Sequence, residues 1–363
     1  MNLPSFSGIF GNKSGSVIGV DVGSSSIKVV QIRHERGRAV LETYGAIALG
    51  PYAGTEIGRA TQLPVEKISE ALRDVIREAN VTAQDAGVSI PYASSLVSVI
   101  TLPLAAEGRL DTVVPLEARK YIPVPISEVK LDWSVVSGGA GHDAQKIEIL
   151  FVAIHNETLD KFKRIIASAG ISASFFEIEV FSSVRASLEH GIAPIAVVDM
   201  GAATTKLYVV ERGIVRESHI INRGAQELTL SLARALNIPV AAAEDRKRKA
   251  GLLPPAPGDP LAAPAQRSFD LTLSPLLAEI AHTLASFEAR INEPVSAVVF
   301  TGGGATLKGF RDFAGSKLAV ETRIADPFGK TEAPAFLEGI LKEIGPEFSV
   351  AIGLALRRLQ ETH

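Results

Sequence analysis

One short pattern occurs twice in this chain, about half the sequence apart, and it constrains the fold more than any other feature. The first copy reads Ile18-Gly-Val-Asp21-Val-Gly23-Ser-Ser-Ser-Ile-Lys28-Val-Val, and the second Ile195-Ala-Val-Val-Asp199-Met-Gly201-Ala-Ala-Thr204-Thr205-Lys206-Leu. Each combines an apolar strand, Asp-x-Gly, a run of small residues and a return strand. Glycine in a tight hairpin lets backbone N–H groups approach phosphate oxygens without a β-carbon in the way. The hydroxyls of Ser24, Ser25 and Ser26 add donors, and Lys28 can bring positive charge to the same oxygens. An aspartate ending a buried strand suits hydrated Mg2+, which takes few carboxylates and keeps several waters. Either copy alone is equally a plain β-hairpin with a turn-forming Asp and Gly. Two copies facing each other would clamp one nucleotide triphosphate from both sides.

A third element follows the strand-like Val298-Val-Phe-Thr301. Gly302, Gly303 and Gly304 come next, then Ala305-Thr306-Leu307-Lys-Gly309-Phe310. Bare backbone there can lie against an adenine or ribose, and the N–H groups of a following helix can face phosphate. The stretch matches neither the dinucleotide fingerprint nor the P-loop.

The rest of the chain supplies the frame for these motifs. Residues 17–49 carry strand patterns broken by glycine-containing turns. Ile68, Leu72, Val75, Ile76 and Ala79 recur at helical spacing, which predicts a helix over 65–80, and 86–90 reads as a strand. Residues 91–170 differ: strand 95–102, helix 108–121, strands 130–136 and 146–154, then helix 157–169 capped by Asn156 and ended by Gly170. That reads as a subdomain inserted in an α/β lobe. Strand 175–178, helix 180–190 and strand 195–198 return to the lobe, and strands resume over 199–222. Helices are expected at 226–236, 240–250 and 275–291, with proline-rich residues 254–264 as an exposed loop. The expected division is therefore 1–90 with 171–198 as a first lobe and 91–170 as the insert. Residues 199–230 with 295–363 form a second lobe, and 231–294 a helical subdomain.

Bulk properties remove several function classes. A chain of 363 residues exceeds what one core usually serves, so roughly two to three domains are expected. A net charge of −3 gives no footprint for nucleic acid. The absence of cysteine excludes disulfides and thiol chemistry, and fits a reducing cytoplasm. No stretch reaches the ~18 apolar residues of a membrane span, so a soluble protein acting at membranes only through a partner is expected. Phe6, Ile9 and Phe10 read either as a weak surface anchor or as a locally packed leader. The seven histidines show no paired zinc spacing, and no Gly-x-Ser-x-Gly elbow is present. The run Arg246-Lys-Arg-Lys249 reads as a solvated helix face. Trp133 and Tyr121 read as core or interface residues.

The order of phosphate hairpin, second hairpin and adenosine loop resembles that of the actin, Hsp70 and sugar-kinase superfamily. The insert narrows the resemblance. Leu102-Pro103 and Val114-Pro-Leu-Glu117-Ala118-Arg119-Lys120-Tyr121-Ile122-Pro123-Val-Pro125-Ile-Ser-Glu128-Val129-Lys-Leu-Asp132-Trp133, with the opening SVIGVDVGSSSIKVVQI, resemble the PilM family of type IV pilus assembly, in the FtsA-like branch. The likeness covers essentially the whole chain, with 254–264 matching least.

The resemblance implies an α/β actin-like ATPase fold, two duplicated ribonuclease-H-like lobes with a small strand–helix–strand–strand (SHS2-like) insert. It implies ATP and Mg2+ as cofactors. Asp21, Gly23, Ser24, Ser25, Ser26 and Lys28 would surround phosphates and metal, opposed by Asp199, Gly201, Ala202, Ala203 and Thr204. Asp21 and Asp199 would hold the metal through water. Gly302, Gly303 and Gly304 would line the adenosine, and Gly224 with Glu227, and Glu244 with Lys247, would embrace ribose and base. A solvated helix face is the other reading of 244–249. Glu177 stands where the family often has Asp, in a strand near the attacking water of related folds. It is the third catalytic candidate beside Asp21 and Asp199, and its identity puts hydrolysis in question more than binding.

The implied partner is a PilN-like single-span inner-membrane protein, whose N-terminal cytoplasmic tail would lie in a groove near strand 95–102, Glu117, Arg119, Tyr121 and Ile122. Other pilus platform and motor proteins are further implied partners. The implied location is cytoplasmic and peripheral to the inner membrane, without direct insertion and without nucleic acid. The run Val350-Ala-Ile-Gly353-Leu-Ala-Leu356-Arg-Arg-Leu359 resembles the fold's own final helix rather than the terminal membrane helix of FtsA. Two alternatives stay open: an FtsA-like division filament, and a small-molecule kinase, which needs an aspartate beside its acceptor hydroxyl. Slow ATP hydrolysis is compatible with an adaptor but not required, since ~1–3 kcal/mol of coupling between sites suffices.

Overall fold

The computed structural model describes residues 15–136, 145–189, 191–255 and 257–361. The leader residues Phe6, Ile9 and Phe10 lie outside them.

The first lobe opens with β1 (Val17–Val22), β2 (Ser26–Glu35) and β3 (Arg38–Ala48), followed by α1 (Val65–Glu78) and β4 (Asp85–Ile90). β1 is buried along its whole length because apolar layers cover both of its faces. α1 turns Ile68, Ala71, Leu72 and Val75 to the sheet, as its spacing requires. The insert contains β5 (Ser95–Pro103), α2 (Leu110–Ala118), β6 (Val129–Val136) and β7 (Lys146–His155). Then come α3 (Asn156–Ser168), β8 (Ser172–Ile178) and α4 (Glu179–Ser187). The first sheet has the order β3-β2-β1-β4-β8, antiparallel up to β1 and parallel beyond it.

The second half repeats this arrangement. β9 (Ile195–Met200), β10 (Thr205–Glu211) and β11 (Ile214–Ile221) lead into α5 (Ala225–Leu236), α6 (Val240–Ala250) and α7 (Ala262–Ile291). β12 (Ala297–Thr301), α8 (Phe310–Lys317), β13 (Glu321–Ile324), α9 (Glu338–Ile344) and α10 (Ser349–Glu361) complete it. Its sheet has the order β11-β10-β9-β12-β13, with the same switch from antiparallel to parallel pairing. The duplication seen in the sequence is thus a duplication of topology. Val197, Tyr208, Val210 and Val215 of the second sheet join the core of the first lobe, so the halves share apolar contact. Among the described residues no helix is long and apolar enough to cross a membrane.

Several boundaries differ from expectation. The insert forms its own core from Ile100, Leu110, Val114, Ile122, Ile149 and Phe151 on the sheet β5-β7-β6. α3 does not join that core; Phe162, Ile165 and Ile166 pack into the first lobe. Asn156 does not cap α3 but begins it, and its side-chain amide donates to the Ser127 carbonyl at 2.8 Å. α7 starts earlier than 275, inside the proline-rich run. Pro264 falls in its first turn, where no N–H is required, and Pro275 lies within the helix.

The largest difference is α10. By chain position it was assigned to the second lobe, yet Ala351, Ile352, Ala355, Leu356 and Leu359 pack with Val17, Val30, Ile32 and Leu41 of the first sheet. The contact with α4 is backbone against backbone. A β-carbon on Gly353 would stand 1.9 Å from the Ser182 carbonyl oxygen. Gly353→Ala should therefore destabilise by about 1–3 kcal/mol or more. Gly339→Ala, where nothing lies within 4 Å, should stay within about 0.5 kcal/mol of the parent. Urea denaturation of both variants checks this.

Candidate functional site

The two Asp-x-Gly hairpins are built alike down to single hydrogen bonds. In the first, Gly23 N–H donates to the Ser26 carbonyl at 3.0 Å; in the second, Gly201 N–H donates to the Thr204 carbonyl at 3.0 Å. Asp21 is the cross-strand partner of Lys28, and Asp199 of Lys206. Each hairpin therefore presents one carboxylate and one ammonium in the same register.

The carboxylates are buried, and their partners follow from that. Ser89 of β4 donates to Asp21 Oδ1 at 2.9 Å, and Val22 N–H donates to the Ser89 hydroxyl at 3.3 Å. Burial pushes the Asp21 carboxyl above its usual range, against the pull of Lys28 and the Ser89 hydrogen bond. Lys206 Nζ lies 3.3 Å from Asp199 Oδ2 and 2.7 Å from Glu179 Oε2. Glu179 is the first residue of α4, and its other oxygen accepts the Tyr92 N–H at 2.7 Å. Burial also raises the Glu179 carboxyl, more than Lys206 offsets. For Lys206 burial alone would favour loss of the proton, but Asp199 and Glu179 together raise its pKa. The glycine loop closes on the same group. Gly302 has φ +82°, and a β-carbon there would meet Asp199 Oδ1 at 2.3 Å.

Beside this cluster lies a cleft of about 400 Å³ that gathers much of what the sequence nominated. Ser25, Ser26 and Lys28 line it from the first hairpin, Gly201 and Ala202 from the second, Gly303 and Gly304 from the glycine loop, and Glu244 and Lys247 from α6. The other nominated residues, among them Ser24, Ala203, Gly224 and Glu227, are not among those lining the cleft. A β-carbon on Gly224 would strike the Ala202 carbonyl at 2.3 Å and the Ala203 carbonyl carbon at 2.7 Å. Glu227 lies in the first turn of α5, whose leading N–H groups, from Ala225 and Gln226, bond the Gly201 and Ala202 carbonyls. The Ser24 carbonyl receives the Thr61 N–H at 2.8 Å.

The charge run of α6 is solvated on one side only: Asp245, Arg248 and Lys249 are exposed, while Glu244 and Lys247 turn inward. Glu244 is buried and accepts from Thr229, Lys247 and Arg248, each at 2.6 Å. Burial would raise its carboxyl, but Lys247, Thr229 and Arg248 outweigh that and hold it below the usual value.

Three features were missed. A segment of the first lobe reaches across the cleft: Ala60 N–H donates to Gln226 Oε1 at 3.1 Å, and Gly58 abuts the Glu244 carboxylate. No local pattern announces it. Lys206 was legible, because it repeats the spacing of Lys28 from Asp21. Glu179 was not, because it belongs to neither copy of the repeat.

Glu177 is placed elsewhere. Its carboxylate is held bidentately by Arg185 at 2.8 and 2.8 Å, by Arg357 of α10 at 2.8 Å, and by Ser182. The network ties β8, α4 and α10 together. In the insert, Tyr121 is 52% exposed and Arg119 is exposed, while Glu117 pairs with Lys120 at 2.7 Å. Ile122, also nominated for the groove, is buried in the subdomain core with Leu110, Val114 and Ala118 of α2.

As a cation site the donor set does not fit a protein-caged Mg2+. Among the described residues no three acidic or imidazole groups converge as ligands, and Lys206 already stands between Asp199 and Glu179.

Two sheets of one topology, each ending in an Asp-x-Gly hairpin at a common cleft, with a glycine loop closing on the second aspartate, define an actin-like ATPase fold. Solved structures agree. A PilM-PilN type IV pilus biogenesis complex matches with a TM-score of 0.78 at 22% identity, over 94% of this chain and 98% of that one. MreB5 of Spiroplasma citri, bound to AMPPNP, matches at 0.53 and 13% identity, over 96% of this chain and 98% of that one. The chain belongs to the family described as type IV pilus assembly protein PilM, which it matches over residues 19–359. Cell division protein FtsA of Agrobacterium fabrum is 28% identical over 235 residues, 60% of this chain and 51% of FtsA. The chain thus spans about half the length of the curated relatives it matches.

The Glu177 network makes a pH-dependent prediction. Burial would raise this carboxyl, but Arg185, Ser182 and Arg357 outweigh it and hold the folded value below the usual 4.5. Its stabilisation is therefore complete above that pH and is lost as pH falls through the lower folded value. Glu177→Gln, which leaves Arg185 without its carboxylate and Arg357 with Glu361 alone, should cost about 3–5 kcal/mol at neutral pH. The difference from the parent should shrink on acidification, as denaturant midpoints across pH would show.

Proposed function

We propose that this chain is an ATP-binding actin-like adaptor of the type IV pilus inner-membrane assembly platform, holding the short cytoplasmic tail of a PilN-like single-span membrane protein. The observation that carries the nucleotide reading is the pair of hairpins with one turn hydrogen bond and one Asp-to-Lys register, both lining the same cleft. Backbone N–H groups and Lys28 bind phosphate there, the glycine loop receives the adenosine, and Glu244 with Lys247 flanks the ribose and base. Mg2+ would accompany the nucleotide, with Asp21 and Asp199 the residues that would hold it through water, and it would supply charge neutralisation. The adaptor reading is supported by the family and by the likeness to the solved PilM-PilN complex. The tail-binding surface is assigned to the exposed side of the insert around Arg119 and Tyr121, and the location to the cytoplasmic face of the inner membrane through that partner.

Lys28→Ala should weaken ATP binding about tenfold to a hundredfold, the worth of a charge-assisted hydrogen bond, in a titration with a fluorescent ATP analogue. Unchanged affinity would remove the phosphate role of the first hairpin.

Tail capture is a separate test. Immobilised chain loaded with Mg-ATP should retain a small single-span protein from detergent-solubilised membranes, and Tyr121→Ala should reduce that retention by about tenfold, a hot-spot loss of ~1.4 kcal/mol. Retention equal in Tyr121→Ala and parent would move the surface elsewhere. Salt-stable polymers in light scattering, with no membrane partner captured, would favour the FtsA-like filament.

A further inference from the structure

We propose that the open edge of β6 in the insert pairs with the same edge of a second copy of this chain, as antiparallel strands about a two-fold axis at Leu131. The inference needs neither the nucleotide reading nor the tail reading.

The first support is an edge left open. β6 ends the sheet β5-β7-β6 and is bonded to β7 along one side. Among the described residues no other backbone reaches it. The edge of β3, by contrast, is closed by the chain itself: Leu41 N–H donates to the Glu332 carbonyl at 2.8 Å, and Glu332 N–H to the Ala39 carbonyl at 2.7 Å. An unpaired strand edge is a template for a further strand unless its side chains forbid one. β6 contains no proline, and its charges favour one particular neighbour.

The second support is the sign pattern. Lys130, Asp132 and Ser134 stand on the exposed face of β6, and Val129, Leu131 and Trp133 on the half-buried face that packs on the insert's core. Antiparallel pairing about Leu131 sets Lys130 of each copy opposite Asp132 of the other, so the ion pair forms twice. On the other face Val129 meets Trp133 and Leu131 meets Leu131, apolar pairs of the kind that stabilise a sheet. Centring the axis one residue either way would set Lys130 opposite Lys130 or Asp132 opposite Asp132, and like charges directly opposite are destabilising. The strand is therefore complementary to itself in one register, as a two-fold interface requires.

The third support is that these groups are still available. Lys130 has no ion-pair or hydrogen-bond partner among the described residues, and Asp132 accepts the adjacent Trp133 N–H at 2.9 Å. Val129, Leu131 and Trp133 stay half-buried after packing on the core, so an added strand has apolar surface left to cover.

The test is sedimentation equilibrium of the whole chain over a concentration series, read beside the emission of Trp133, its sole tryptophan. One strand from each copy makes a small interface, so the parent should dimerise reversibly with a Kd of about 1–100 μM. The Trp133 emission should shift to the blue along with the mass. Lys130→Glu and Asp132→Lys, both at exposed positions, should each weaken dimerisation by at least about tenfold. Mixed with each other, these two variants should form a heterodimer, because opposite signs then meet at both pairs. Both substitutions in one chain should restore the parent's affinity. A merely structural effect of either substitution would not be cured by mixing. Parent dimers that neither single variant weakens would overturn this interface. A parent still monomeric at about 500 μM would overturn the pairing outright. If in addition Lys130→Glu no longer retained the membrane protein in the capture assay, the edge would belong to that protein's tail and not to a second copy.

Discussion

The architecture turns on one electrostatic problem: several carboxylates are buried where the two lobes meet. An ionised group taken out of water costs several kcal/mol unless it is paired and hydrogen-bonded. Here Asp21 ends β1, Asp199 ends β9 and Glu179 opens α4, so three chain segments bring negative charge to one place. The compensation comes from the opposite strands and neighbouring loops: Lys28 and Lys206 in register, the Ser89 hydroxyl and the Tyr92 N–H. The contact of Lys206 with Glu179 also links β10 of the second lobe to α4 of the first. Charge balance and lobe contact are therefore one feature.

A second buried carboxylate solves a different problem with the same chemistry. Glu177 gathers Arg185, Arg357 and Ser182, and so fastens the final helix to the strand and helix beside it. Around that anchor α10 lies against β1, with Gly353 allowing helix and α4 backbone to touch. β1 carries the first hairpin at its end, so the position of Asp21 depends on a helix from the far end of the chain. Two acidic residues two positions apart in the sequence, Glu177 and Glu179, thus serve opposite purposes. One is saturated by arginines at the lobe's side, and the other faces the second Asp-x-Gly hairpin through Lys206. In a strand successive side chains alternate faces, but β8 ends at Ile178 and Glu179 belongs to a helix. Alternation therefore does not carry Glu179 to the face of Glu177.

Much of the molecule was legible from residue types and spacing. The two hairpins, the glycine loop, the inserted strand–helix–strand–strand unit and the α/β lobes follow from Asp-x-Gly, glycine clusters and the change between twofold and helical periods. These signals are local, because turn chemistry and amphipathic period are properties of a few consecutive residues. The lysine of the second hairpin was legible in the same way, since the repeat carries it. Only the tertiary structure decided which polar residues meet. It placed Glu179 rather than Glu177 at the hairpins, turned Ile122 into the insert's core, moved α3 and α10 onto the first lobe, and carried the segment with Gly58 and Ala60 across the cleft. Each of those is a contact between residues distant in the chain, fixed by packing of whole elements and by the need to pair buried charge. The sequence determined which turns and elements form and what chemistry each can offer. The fold determined which charges face one another, because burial and distance, not spacing, set the partner of a carboxylate.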